Sequence, residues 1–177
     1  SLFFMARRRQ IKFTGMAILG FGFLFLGLKI LTEGMSPLRS IDWVPKLMLA
    51  LEGHPLWSMV FSAVLTALFH SSAATIGIAL AFASQGLLTL AASIPIILGA
   101  NVGTCATALI SSIGAPAEAK RVAVAHTLFK ILGVVVFYPF LNPYSDLTVH
   151  TAQSITRQIA NAHTLFNIAI TGLILPF

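Results

Sequence analysis

Thr66-Ala67-Leu68-Phe69-His70-Ser71-Ser72-Ala73-Ala74-Thr75 is a knot of hydroxyls and one imidazole set inside apolar sequence. Residues 56–65 before it and 76–83 after it carry no charge. Hydrocarbon offers nothing to a hydroxyl or a free backbone amide, so such a cluster must be buried in protein or line a watery cavity. One or two hydroxyls in this setting commonly bond back to their own helix carbonyls and join helices. His70, Ser71, Ser72 and Thr75 crowd into six positions, and that density points to a binding site. The arm before the knot, residues 55–69, makes roughly 22 Å of helix, against a hydrocarbon core of about 30 Å. A re-entrant helical hairpin over 54–86, turning within the membrane at His70–Thr75, is therefore predicted.

The rest of the chain sets the same context. Of 177 residues, 57% are hydrophobic and only 9% charged, which excludes an ordinary soluble domain and predicts an all-α integral membrane protein. The net charge of +6 comes from residues that punctuate apolar runs. No basic face alternates with stacking aromatics, so the charge speaks for membrane orientation and not for nucleic acid. The single Cys105 rules out a disulfide framework within the chain, and no transition-metal site is expected.

Residues 1–53 read as a basic approach (Arg7, Arg8, Arg9, Lys12), a first span from about Thr14 to Leu31, and an amphipathic interfacial helix anchored by Trp43. Gly15, Gly20, Gly22, Gly27 and Gly34 along that span are expected to let neighbouring helices approach. Residues 87–113 form an apolar run interrupted by Leu98-Gly99-Ala100-Asn101-Val102-Gly103-Thr104-Cys105-Ala106-Thr107. A discontinuous transmembrane helix is predicted over 87–113, its loosened middle presenting amides and carbonyls to a ligand; a closely packed flexible helix is the alternative. Residues 114–177 hold two related spans that echo each other at an offset of 37. Ala125-His126-Thr127-Leu128-Phe129 matches Ala162-His163-Thr164-Leu165-Phe166, and Pro139-Phe140 matches Pro176-Phe177. Asn142 to Ser154 is predicted to be a polar connector between them, and His126 and His163 to serve helix–helix hydrogen bonding.

Ser71-Ser72 within the quoted stretch resembles the Gln-Ser-Ser-Ser signature of the type II sodium–phosphate cotransporter family, which includes bacterial members. Gly86-Leu87-Leu88, Ile97-Leu98-Gly99-Ala100-Asn101-Val102-Gly103-Thr104, Ala119 to Phe129 and Ala162 to Asn167 resemble that family in order and spacing. The details are similar to the family's second, C-terminal repeat. The resemblance implies one half of an inverted-repeat transporter in the bacterial inner membrane, working with a missing first repeat or another subunit. It also implies inorganic phosphate as substrate and Na+ as coupling ion, with no other cofactor.

On this reading phosphate is held by His70, Ser71, Ser72, Asn101, Gly103 and Thr104, through serine hydroxyls and helix N-terminal amides. No acidic residue lies between Glu52 and Glu118, so sodium must be met by neutral oxygens. Thr66, Ser72, Thr75, Thr104 and Thr107 are the expected ligands. His70 stands where the family has Gln, and Ala73 where it often has a third Ser. A related carrier for another small anion and a non-transporting regulatory or assembly subunit are the competing functions. A hydrolase is not expected, because adjacent His70 and Ser71 cannot readily reach each other on one helix.

Overall fold

The structure, a computed structural model, describes residues 9–176. Arg7 and Arg8 of the basic approach, and Phe177 of the echo, lie outside the described residues. Among the described residues all regular structure is helical. α1 (Arg9–Met35) runs into a 3-10 turn (Ser36–Ser40), and α2 (Trp43–Gly53) follows. Next come α3 (Pro55–Phe69), α4 (Ser72–Ser84), α5 (Leu90–Gly103) and α6 (Cys105–Ser111). α7 (Ala117–Phe137) continues through a 3-10 turn (Tyr138–Phe140) into α8 (Leu141–Val149), and α9 (Ile155–Ile174) closes the described chain.

Arg9–Leu38, Leu90–Ser111 and Ala117–Val149 are long and apolar enough to cross a membrane. α2 and α3 together qualify as a fourth candidate, bent by 114° where they meet. α9 has 20 residues, about 30 Å of helix. It carries the polar residues Asn161, His163, Thr164 and Asn167, and it packs through one face, with Ile159, Ala162, Phe166 and Ile170 buried.

α5 is the axis of the fold. Twelve of its 14 residues are buried, and α2, α3, α4, α7, α8 and α9 all pack on it. Thr89 starts it, its Oγ1 accepting from Ala92 N at 3.1 Å as an N-cap should. The closest partner is α3, and the reason is Gly99 and Gly103, one turn apart on the same face. A Cβ on Gly99 would overlap Met59 O and Ser62 Oγ; one on Gly103 would sit 2.5 Å from Ala63 O and 2.6 Å from Thr66 Cβ. These glycines permit backbone contact rather than unwinding. Interruption of the helix is confined to Thr104, which itself keeps right-handed helical angles and whose N–H donates to Ala100 O at 3.3 Å. The loosened middle predicted over 98–107 is thus reduced to one position, because close packing against α3 holds the backbone helical.

α3 and α4 form a helical hairpin with a tighter turn than predicted. His70 alone takes a left-handed conformation (φ 52°), and Ser72 already begins α4. Ser71 Oγ accepts from Ala74 N at 3.2 Å and caps that helix. At the far end Gly86 (φ 71°) closes α4, with Gly86 N donating to Ala83 O at 3.0 Å and Leu87 N to Phe82 O at 2.9 Å. A Cβ on Gly20, Gly22, Gly27 or Gly34 would meet nothing within 4 Å, so those α1 glycines serve no close approach among the described residues. α1 has no buried residue, and its contact with the hairpin is through α4.

The predicted connector 142–154 is shorter than expected. α8 is helical because Tyr144, Ser145 and Thr148 turn inward, and Thr148 Oγ1 is satisfied by Ser145 O at 2.8 Å. Only residues 150–154 make the turn, after which α9 runs back antiparallel to α7 and α8. Tyr144 Oη donates to Ala162 O at 2.5 Å, and Phe137 meets the Phe166 ring edge-on at 5.0 Å. Gly133 lets Ile170 approach: a Cβ there would lie 2.6 Å from its Cδ1.

Candidate functional site

A cavity of about 590 Å³ opens where the hairpin turn, α5, α7 and α9 meet. Ser72, Asn101, Thr104, Lys130, His163, Thr164, Asn167, Ile168 and Thr171 line it. The elements place these side chains for local reasons. Ser72 is the first residue of α4, where the helix start leaves the Ser72 and Ala73 amides without an intrahelical acceptor. Asn101 sits between the two packing glycines, so its side chain leaves α5 on the face turned away from α3. Its Nδ2 donates to Ile97 O at 3.0 Å, and Thr104 Oγ1 donates to Asn101 O at 2.6 Å.

The polar centre of the cavity is Lys130. Its Nζ donates to Asn101 Oδ1 at 2.8 Å and to Asn167 Oδ1 at 3.0 Å, binding α7 to α5 and α9. Asn167 Nδ2 donates to His163 O at 2.8 Å, so both amides keep their oxygens towards the ammonium. Such an arrangement can hold an oxyanion: the Ser72 hydroxyl at the start of α4 and the Lys130 ammonium line a space large enough for a small solute.

The predicted residues divide into four groups. Ser72, Asn101 and Thr104 share the cavity. Thr66 and Thr75 lie between the hairpin arms, 0% and 2% exposed, with Thr66 Oγ1 donating to Thr75 Oγ1 at 2.8 Å. Ser71 O is 3.5 Å from Thr75 Oγ1 and completes a small oxygen cluster there. His70 is exposed at the turn, its Nδ1 3.4 Å from Thr107 Oγ1, and this contact joins the hairpin tip to α6. Ser71 is engaged as a helix cap, and Gly103 is buried against α3; neither lines the cavity.

Lys130, His163, Thr164 and Asn167 were not among the predicted site residues. His163 lines the cavity, and His126 lines a smaller space of about 200 Å³ beside it. A signal for Lys130 existed: it is a lone cation inside the apolar run 122–140, and an ionisable residue within a span is a functional candidate by default. The 37-residue echo also aligns Lys130 with Asn167, the residue that it contacts.

Residues 39–175 match the family described as Na+/Pi-cotransporter. The chain is 30% identical over 175 residues to Uncharacterized protein YqeW of Bacillus subtilis (strain 168), covering 99% of this chain and 57% of YqeW. It is 23% identical over 177 residues to YjbB of Escherichia coli (strain K12), named as a candidate inorganic phosphate export protein, covering 99% of this chain and 33% of YjbB. It is 33% identical over 115 residues to Sodium-dependent phosphate transport protein 2B of Homo sapiens, covering 62% of this chain and 16% of that protein. The chain thus spans about a sixth to just over half of these relatives. No solved structure matches.

Proposed function

Because the chain belongs to the Na+/Pi-cotransporter family, we propose that it forms the second-repeat half of a sodium-coupled carrier of inorganic phosphate in a bacterial inner membrane. The observation that carries this reading is the convergence of Ser72, from the hairpin, with Asn101 and Thr104, from the interrupted helix, on one cavity. Phosphate accepts hydrogen bonds from the Ser72 hydroxyl and from the amides at the start of α4, where the helix dipole favours negative charge, and from Thr104 once its hydroxyl turns away from Asn101 O. His70 and Ser71 set the shape of that turn, and Gly103 brings α5 close enough to α3 for the two parts to meet.

Sodium is held by oxygen. Thr66 Oγ1, Thr75 Oγ1 and Ser71 O form a cluster at the carbonyl end of α3, and a sodium ion there replaces the Thr66–Thr75 hydrogen bond. Ser72 and Thr104 serve the boundary between cation and anion, and Thr107 follows the hairpin tip through His70. Binding opposite charges side by side lowers the cost of moving either through low dielectric. The exposed lining residues Thr164, Ile168 and Thr171 mark the side on which a companion repeat or subunit closes the pocket.

Full-length protein reconstituted in liposomes tests this. Radiolabelled phosphate is expected to accumulate under an inward sodium gradient and to leave under an outward one. Phosphate flux indifferent to sodium in both directions, or no flux, removes the symport reading.

A further inference from the structure

Lys130 sits between Phe129 and Ile131 in α7, and the helix beyond it is apolar for about its last two turns, to Phe137. Its ammonium is half-buried and bound by two neutral amides, Asn101 Oδ1 and Asn167 Oδ1. Among the described residues no carboxylate pairs with it; the one ion pair there is Lys29–Glu33, at 3.9 Å on α1. Of the elements around the cavity, α4, α5 and α9 contain no acidic residue, and α7 contains only Glu118. That residue is 130 − 118 = 12 positions away, roughly 18 Å along the helix.

An uncompensated charge held within a membrane span is costly, and its retention marks a role for the charge itself. The two asparagines are fixed by their own helices so that their oxygens face the ammonium. They satisfy two of its three donors without neutralising it. What such a centre lacks is an anion, and the cavity beside it is lined by the Ser72 and Thr104 hydroxyls.

We infer that Lys130 is the fixed counter-charge of the anion pocket, taking the place of one cation that a doubly charged oxyanion otherwise needs. This rests on the reading of the cavity as the phosphate site. Monohydrogen phosphate carries two negative charges. With the ammonium in place one sodium completes neutrality, and without it two are required. Phosphate therefore binds the empty protein to a measurable degree before any sodium arrives, and the carrier uses one sodium fewer per phosphate than the charge on its cargo demands.

The test measures phosphate binding calorimetrically on the purified full-length protein, in choline and in sodium buffers. Wild type is expected to bind phosphate in choline. Lys130→Gln is expected to bind at least roughly tenfold more weakly there, while Lys130→Arg stays within a few-fold. Lys130→Arg supplies the decisive arm, because it keeps the charge and changes the shape: a packing role for Lys130 predicts loss in both Lys130→Gln and Lys130→Arg, a counter-charge role only in Lys130→Gln. Asn167→Asp sets a carboxylate beside the ammonium and in the cavity lining, and is expected to weaken binding roughly tenfold as well. In liposomes, the sodium gradient that nulls phosphate flux should correspond to one more sodium per phosphate in Lys130→Gln.

Unchanged binding in choline for Lys130→Gln, or a loss in Lys130→Arg equal to that in Lys130→Gln, overturns the inference; unchanged binding for Asn167→Asp overturns it by itself if the glutamine variant is not recovered folded. A wild type that binds phosphate but does not couple its movement to sodium removes the symport reading and leaves the lysine test standing. A wild type that binds phosphate in neither buffer overturns both.

Discussion

Thr66 and Thr75 face each other across the hairpin, with Thr66 Oγ1 donating to Thr75 Oγ1 at 2.8 Å and both side chains out of solvent. Nine residues apart in sequence, they tie the last turn of α3 to the first turn of α4. That bond joins the carbonyl end of one arm to the amide end of the other, the relationship on which the proposed cation and anion sites depend.

Replacing either threonine by valine removes that bond and leaves the other hydroxyl buried. Each single variant is expected to lose about 1–2 kcal/mol of stability, and the double variant less than the sum. Thermal unfolding in detergent reads this. The half-saturating sodium concentration for phosphate transport should rise in all three variants. Unaltered sodium dependence would move the cation site elsewhere.

Ser71 and Ser72 are adjacent and are expected to fail differently. Ser71→Ala removes the cap on Ala74 N and should cost about 1 kcal/mol of stability with phosphate affinity little changed. Ser72→Ala should keep the melting temperature and weaken phosphate binding several-fold. Reversed outcomes would exchange the roles given to the two hydroxyls.

Gly99→Ala and Gly103→Ala force a methyl into the backbone of α3. Overpacking of this kind is expected to cost about 1–3 kcal/mol or more, with loss of monodisperse protein on size exclusion. Gly20→Ala and Gly22→Ala on α1 meet nothing within 4 Å and should be neutral or slightly stabilising through helix propensity. Equal sensitivity of both pairs would contradict the packing described for α3 and α5.

His70 holds a left-handed backbone that costs a non-glycine residue about 1 kcal/mol, although histidine is among the residues found there more often. His70→Gly is expected to retain the hairpin with equal or slightly higher stability, and His70→Val to destabilise it. Circular dichroism melts compare the two. Valine tolerated as well as glycine would mean that the turn is not left-handed at this residue.

Much of the architecture was legible because membrane constraints are local. The apolar runs at 14–31, 87–113 and 120–140 each fold mainly as helix, and Ser71-Ser72 marks the hairpin turn, since serine caps a helix start for reasons contained within four residues. The loosening expected over 98–107 is confined to Thr104, because a glycine pair has the same sequence whether it unwinds a helix or admits a neighbour. Only the position of α3 distinguishes the two. The connector at 142–154 shrinks because Tyr144 and Thr148 look polar until Ala162 O and Ser145 O supply their partners.

By itself the sequence determined that this is a helical membrane protein with a capped hairpin and a glycine-flanked asparagine, because hydropathy, capping and turn preference act over short distances. Tertiary structure alone decided which of these residues meet. Ser72, Asn101, Lys130 and Asn167 come from four helices and from positions 95 residues apart (167 − 72), so no local pattern could bring them to one cavity. What brings them there is the close approach of α3 to α5 and the antiparallel return of α9. Both are consequences of where a side chain is missing, at Gly99, Gly103 and Gly133.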